Sequence, residues 1–191
     1  MPPKVYTAGP EVFWANATEV LAEKATILRE LGMEPVLPCD DQAGEGETDT
    51  ERALSILRAN QACMASADAA IANISPFRGP SMDPGTAHEV GTLQAQGKPV
   101  AGYTVVGRSQ KERVRAYYGL HPIQAGCDKD GAFIENFGLP DNLMITAGMA
   151  DDGLLVVRPY GVNLEAFAIT ASRLRRHLEK RGFGFLRAAT A

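Results

Sequence analysis

The chain has 191 residues, 45% of them hydrophobic and 22% charged, with a net charge of −4. That length suits one domain with a sizeable core, and the acidic balance argues against a dedicated nucleic-acid surface. The three cysteines (Cys39, Cys63, Cys127) are far apart and form no C-x-x-C pair, which argues against a disulfide framework or a zinc site and reads as thiols of a reducing compartment. No apolar run approaches a membrane span, and the N-terminal residues lack an apolar signal core, so the chain reads as cytoplasmic.

Residues 4–8, KVYTA, are β-prone and end in Gly9-Pro10, which predicts a first strand. Over residues 11–31 Phe13, Ala17, Val20, Leu21, Ala25 and Leu28 recur at helical spacing, and Gly32 stops the helix. Residues 34–37 predict a second strand, followed by an acidic loop over 38–49. Asp49 or Thr50 is placed to cap a helix over 51–66 that turns Ala53, Leu54, Leu57 and Met64 inward. Residues 69–74 form a compact apolar run of strand length. A helix over 86–96 follows, carrying Ala87, Val90 and Leu93 and stopped by Gly97 and Pro99, and residues 100–103 make a further strand.

Beyond Tyr103 the signals weaken. Residues 107–118 read as a charged helical insertion and 127–136 as a loop. Within it Asp128-Lys129-Asp130-Gly131 reads as a turn, because the downstream ligands of a calcium loop are missing. Residues 139–145 are a short apolar segment. Asn163 is placed to cap a last helix with Leu164, Phe167, Ala171, Leu174 and Leu178 on one face. Alternating strands and helices predict one α/β domain, a Rossmann-like or flavodoxin-like parallel sheet with helices on both faces, with its core over 4–145 and an extra C-terminal helix over 163–181. No G-x-G-x-x-G follows the first strand and no G-x-x-x-x-G-K-[ST] occurs, so the usual phosphate cradles are missing.

The candidate chemistry sits in the unit over residues 68–103. A βαβ unit sends its loop to the carboxyl edge of the sheet, where open α/β folds bind ligands. Asp83 lies in that loop and Glu89 in the helix after it. Thr86-x-x-Glu89 matches a capping box, which gives Glu89 a structural reading beside a catalytic one. A carboxylate at that edge can attack an electrophilic carbon, as glycosidic chemistry requires. Tyr6 ends the first strand at the same edge, either as packing or as a hydroxyl that orients the carboxylate. Gln42 offers a donor and an acceptor to a heterocycle, and Asn60 lies mid-helix. Asp68 falls at the opposite end of the sheet. The histidines His88, His121 and His177 do not cluster, and no metal site is predicted.

VYTAGPEVF at 5–13, ADAAIANISPFRGPSMDPGTAHEVG at 67–91, GKPV at 97–100 and GLPDNLMI at 138–145 together resemble the nucleoside 2-deoxyribosyltransferase family. The resemblance implies that Glu89 attacks C1′ of a 2′-deoxynucleoside and that a second base resolves the deoxyribosyl-enzyme. It implies that Tyr6 orients this nucleophile and that Asp83 helps bind the sugar. Gln42 is similar to the glutamine that contacts the base, and Asn142 to an asparagine that a neighbouring subunit donates to the sugar. Phe13, Gly79 and Met144 fall at further substrate-binding positions. A homo-oligomer with shared sites, a role in nucleotide salvage and no cofactor are implied with them. Asn60 stands where some members carry an aspartate that serves the departing base; an amide can hydrogen-bond a base but cannot protonate it. Two rival readings remain open to these residues. One is an N-glycosidase for deoxynucleosides or their 5′-monophosphates, with Arg78 meeting a phosphate; the other is a non-catalytic nucleotide-sensing module.

Overall fold

A computed structural model describes residues 1–38 and 44–185. Its centre is a five-stranded, all-parallel sheet in the order β2-β1-β3-β4-β5, built from β1 (Lys4–Ala8), β2 (Glu34–Val36), β3 (Ala69–Asn73), β4 (Val100–Thr104) and β5 (Leu155–Val157). This is the flavodoxin-like strand order, whose direction of winding reverses between β1 and β3. The helices are α1 (Ala17–Glu30), α2 (Asp49–Ser66), α3 (Pro84–Ala95), α4 (Gln110–Tyr118), α5 (Leu143–Asp151) and α6 (Asn163–Lys180). β3 and β4 are buried along their whole length, as strands covered on both faces must be.

Strand alternation divides the core into two layers. Val5, Ile71, Ala101, Tyr103 and Val156 face Leu28 of α1 and Phe167, Ala171, Leu174 and Leu178 of α6. Tyr6, Ala70, Ala72 and Val100 face Met64 of α2, Val90 and Leu93 of α3 and Met149 of α5. The last helix is therefore one half of a covering layer. Among the described residues, no helix is long and apolar enough to cross a membrane.

Several elements depart from the sequence reading. The helix expected over 11–31 is split: Pro10–Phe13 form a separate 3-10 turn that ends at the extended Trp14, and α1 starts at Ala17. α2 is capped by Thr48, not Asp49 or Thr50, in a reciprocal box with Glu51. Its Ala53, Leu54 and Leu57 are exposed, and only Met64 is buried. Length explains this: an 18-residue helix spans about 27 Å, a five-residue strand about 17 Å, so the first turns of α2 overhang the carboxyl edge of the sheet. β5 corresponds to no element predicted from the sequence. Asn163 does not cap α6 but is its first residue, and its side-chain oxygen lies 3.0 Å from the Tyr103 hydroxyl.

Candidate active site

The carboxyl ends of β1 and β3 flank a cleft of about 150 Å³ lined by Gly9, Val12, Phe13, Pro38, Asn60, Asp83, Gly85, Thr86 and Glu89. It lies at the switch point of the sheet, where the loops leaving β1 and β3 part in opposite directions.

The local fold of residues 82–89 sets its chemistry. Asp83 is the N-cap of α3: its Oδ2 accepts from the Thr86 N–H at 2.8 Å and from the Thr86 hydroxyl at 3.0 Å. Pro84 follows at the first helical position, where its missing N–H costs nothing. With the cap at Asp83, Glu89 falls in the second turn of α3, and the capping box suggested by Thr86-x-x-Glu89 does not form. Glu89 instead reaches toward β1, where the Tyr6 hydroxyl donates to its Oε1 at 2.6 Å. Tyr6 is fully buried, so its ring is a fixed post and the bond restrains the carboxylate.

Phe13 lines the cleft, and Phe77 packs against Phe13. Their rings stack with centroids 5.4 Å apart and planes 16° from parallel. The Arg78 guanidinium lies 5.2 Å from the Phe13 centroid and 4.7 Å from that of Phe77, and Arg78 is held in the left-handed backbone region at φ 52°. Phe13 remains 56% exposed, so this aromatic surface is open to a planar ligand. Asn60, in the second half of α2, also lines the cleft.

Of the remaining sequence candidates, Gln42 lies outside the described residues. Gly79, Asn142 and Met144 do not line this cleft. Asn142 is the N-cap of α5, with its Oδ1 accepting from the Met144 N–H at 3.0 Å and its amide donating to Glu135 at 2.9 Å. Asp68 accepts from the Lys4 N–H at 2.8 Å, at the far end of the sheet. Asp128 Oδ1 accepts from the N–H groups of Asp130 and Ala132, which makes the Asp128–Gly131 segment a turn. Among the described residues, no group of His, Cys, Asp and Glu is arranged to hold a metal ion.

Two buried polar groups that the sequence reading passed over support the site. Asp141 Oδ2 accepts from the Met82 N–H at 2.9 Å and pairs with Arg113 at 3.2 Å, so it fixes the loop directly before Asp83. Arg113 also donates to the carbonyls of Pro80 and Arg108 at 2.6 Å and to that of Pro140. Burial pushes the Asp141 carboxyl up, against N–H donors and the Arg113 charge. The second group is Glu11 with Lys24, each 1% exposed and 2.5 Å apart. A signal for it existed: Lys24 interrupts the apolar stripe of α1 between Val20 and Leu28.

Comparison with known proteins identifies the family and the fold. The family model for nucleoside 2-deoxyribosyltransferases matches residues 5–144. A 2-desoxiribosyltransferase from Leishmania mexicana superposes with a TM-score of 0.64 at 30% identity, over 90% of this chain and 98% of that one. A conserved protein from Enterococcus faecalis shares the fold, with a TM-score of 0.53 at 18% identity over 95% and 99% of the two chains. An uncharacterized protein of Schizosaccharomyces pombe is 35% identical over 92% of this chain and 90% of its own length. The chain belongs to the nucleoside 2-deoxyribosyltransferase family, an α/β enzyme family that acts on nucleosides and nucleobases.

Proposed function

We propose that this enzyme transfers 2-deoxyribose between nucleobases by double displacement through a deoxyribosyl ester on Glu89. The observation that carries the reading is the 2.6 Å hydrogen bond from Tyr6 to Glu89 at the sheet's switch point. In the first step the Glu89 carboxylate forms a bond to C1′, the C1′–N bond breaks, and its electron pair leaves with the base. With no 2′-hydroxyl to withdraw electrons, the oxocarbenium-like transition state forms readily, and the carboxylate collapses onto it. A second base then attacks C1′ through a ring nitrogen and returns the carboxylate, with net retention. The Tyr6 hydroxyl fixes the plane of the carboxylate, so that it meets C1′ without reorganisation. Asp83 spends Oδ2 on the helix; Oδ1 takes no part in those bonds, and in this reading it accepts from a sugar hydroxyl. Asn60 offers hydrogen bonds to the base but no proton, so the departing nitrogen is protonated by water or Asp83.

Hydrolysis is the same first step with water as the acceptor, so occupancy of the cleft by a second base decides between transfer and N-glycosidase activity. Chromatography of deoxyinosine incubated with adenine tests the reading. Deoxyadenosine from wild type and none from Glu89→Ala supports transfer. Hypoxanthine alone points to hydrolysis, and neither product, with thymidine or a deoxynucleotide as donor too, favours a binding module.

A homo-oligomer belongs to the same reading. Asn142 and Met144 do not line their own chain's cleft, and they adjoin a segment in which Tyr117, Ile123, Phe133, Phe137 and Met144 are all exposed. That apolar surface is proposed to pack on a second copy and to carry Asn142 to the neighbour's cleft. Sedimentation equilibrium tests it; a monomer at the concentrations of the assay would refute it.

A further inference from the structure

We propose that Glu11 is a positioning residue for the nucleoside cleft: through one carboxylate oxygen it keeps Phe13, which lines the cleft, in register with Phe77, the ring stacked on it. The proposal rests on the deoxyribosyltransferase reading of that cleft.

Glu11 Oε1 accepts from Lys24 Nζ at 2.5 Å, from the Asn73 amide at 2.9 Å and from the Tyr103 hydroxyl at 2.9 Å. These donors come from α1 and from the carboxyl ends of β3 and β4, so one oxygen gathers three elements beneath the cleft wall. Glu11 belongs to the Pro10–Phe13 turn, which fixes the root of the Phe13 side chain. Asn73 passes the restraint to the other ring: its Oδ1 accepts from the Ser75 N–H at 3.0 Å, where the loop to Phe77 begins. Both rings are thus anchored to one carboxylate. Gly9, which lines the cleft, closes on the same group, since a Cβ there would stand 2.0 Å from Glu11 Oε2 and 3.1 Å from Asn73 Cβ. The turn and the carboxylate can only move together.

A buried ion pair is an inefficient way to stabilise a fold, because desolvation offsets most of the attraction and a well-packed apolar pair does as well or better. What this pair supplies is direction. Glu11 Oε1 has a defined set of donors, and an apolar pair would let the turn settle in more than one way.

The test is steady-state kinetics of deoxyinosine-to-adenine transfer in three variants. Glu11→Met/Lys24→Met keeps volume and burial but removes the acceptor. Asn73→Ala cuts the link to the Phe77 loop and leaves the ion pair in place. Glu11→Gln/Lys24→Met keeps the acceptor without either charge. The first two are expected to raise KM about tenfold with kcat within about twofold of wild type, and the third to keep a wild-type KM. Wild-type KM in folded Glu11→Met/Lys24→Met and Asn73→Ala would overturn the proposal, as would an equal loss in the glutamine variant. Should the methionine pair fail to fold, Asn73→Ala decides alone. Quenching of Trp14, the one tryptophan of the chain and the residue after the turn, by adenine reads the same ranking without turnover. Absence of turnover in wild type would count against the deoxyribosyltransferase reading, and unchanged adenine affinity in Asn73→Ala against this one.

Discussion

The Tyr6 hydroxyl on β1 and the Glu89 carboxylate on α3, far apart in the chain, meet at 2.6 Å in the floor of the cleft. The bond forms because Asp83, not Thr86, begins the helix. A start three residues later would have turned Glu89 back onto its own N-terminus. Removing the hydroxyl should therefore affect chemistry more than folding. Tyr6→Phe is expected to keep its melting temperature within a few degrees and to lose about 10–100-fold in kcat, whereas Glu89→Ala should lose at least about 10³-fold. Equal kcat for Tyr6→Phe and wild type would remove the tyrosine from the mechanism.

Asp83 has a structural and a chemical task that substitutions can separate. Asp83→Asn retains a capping oxygen, while Asp83→Ala loses it at a cost of about 1 kcal/mol. Both should impair transfer if the carboxylate meets the sugar. Chemical denaturation beside product assays checks the split; an asparagine variant with full activity would leave Asp83 as a cap alone.

Gly9 is required by space rather than by backbone angle. Gly9→Ala drives a methyl group into Glu11 Oε2, and overpacking of this kind costs about 1–3 kcal/mol. A melting temperature lowered by several degrees is expected, together with a raised KM, since the turn that bears Phe13 must shift.

Acid should unfold the protein partly through Glu11. Burial pushes its carboxyl up, but the Lys24 charge and the hydrogen bonds from Lys24 and Asn73 outweigh this and hold it below the ordinary value of 4.5. The folded state then binds this proton less tightly than the unfolded chain does. The contribution is present above about pH 4.5 and is lost as pH falls through the depressed value. Glu51 and Glu112, each lowered by its capping box, act in the same direction, and Asp141, whose carboxyl is raised, acts against them. Melting curves between about pH 3 and 6 should fall toward acid, and less steeply in Glu11→Gln/Lys24→Met than in wild type. Identical slopes would show that the buried pair does not govern acid stability.

Much of this was legible in the residues. KVYTA, the apolar run after Asp68 and the Gly97–Pro99 stop gave β1, β3 and α3 because these signals are local. The register of the α3 cap was not, because Asp83 and Thr86 are both good caps and only packing against β1 decides between them. β5 is three residues long and owes its form to pairing with β4. The Glu11 network joins residues from four elements, and no spacing rule reaches across such separations. The inward turn expected of Leu54 and Leu57 failed because periodicity reports that a helix has an apolar face, not that a sheet extends beneath it.

The family match ends at residue 144, yet Leu154, Val156, Phe167, Ala171, Leu174 and Leu178 after it are almost completely buried. The family model and the buried core thus have different borders in this chain. A fragment trimmed to the matched stretch would retain Tyr6, Asp83, Glu89 and α1, but would lose β5 and the α6 half of one covering layer, baring the sheet beside Ile71 and Tyr103. Whatever is grafted, fused or expressed as the catalytic part of this enzyme has to include the last helix.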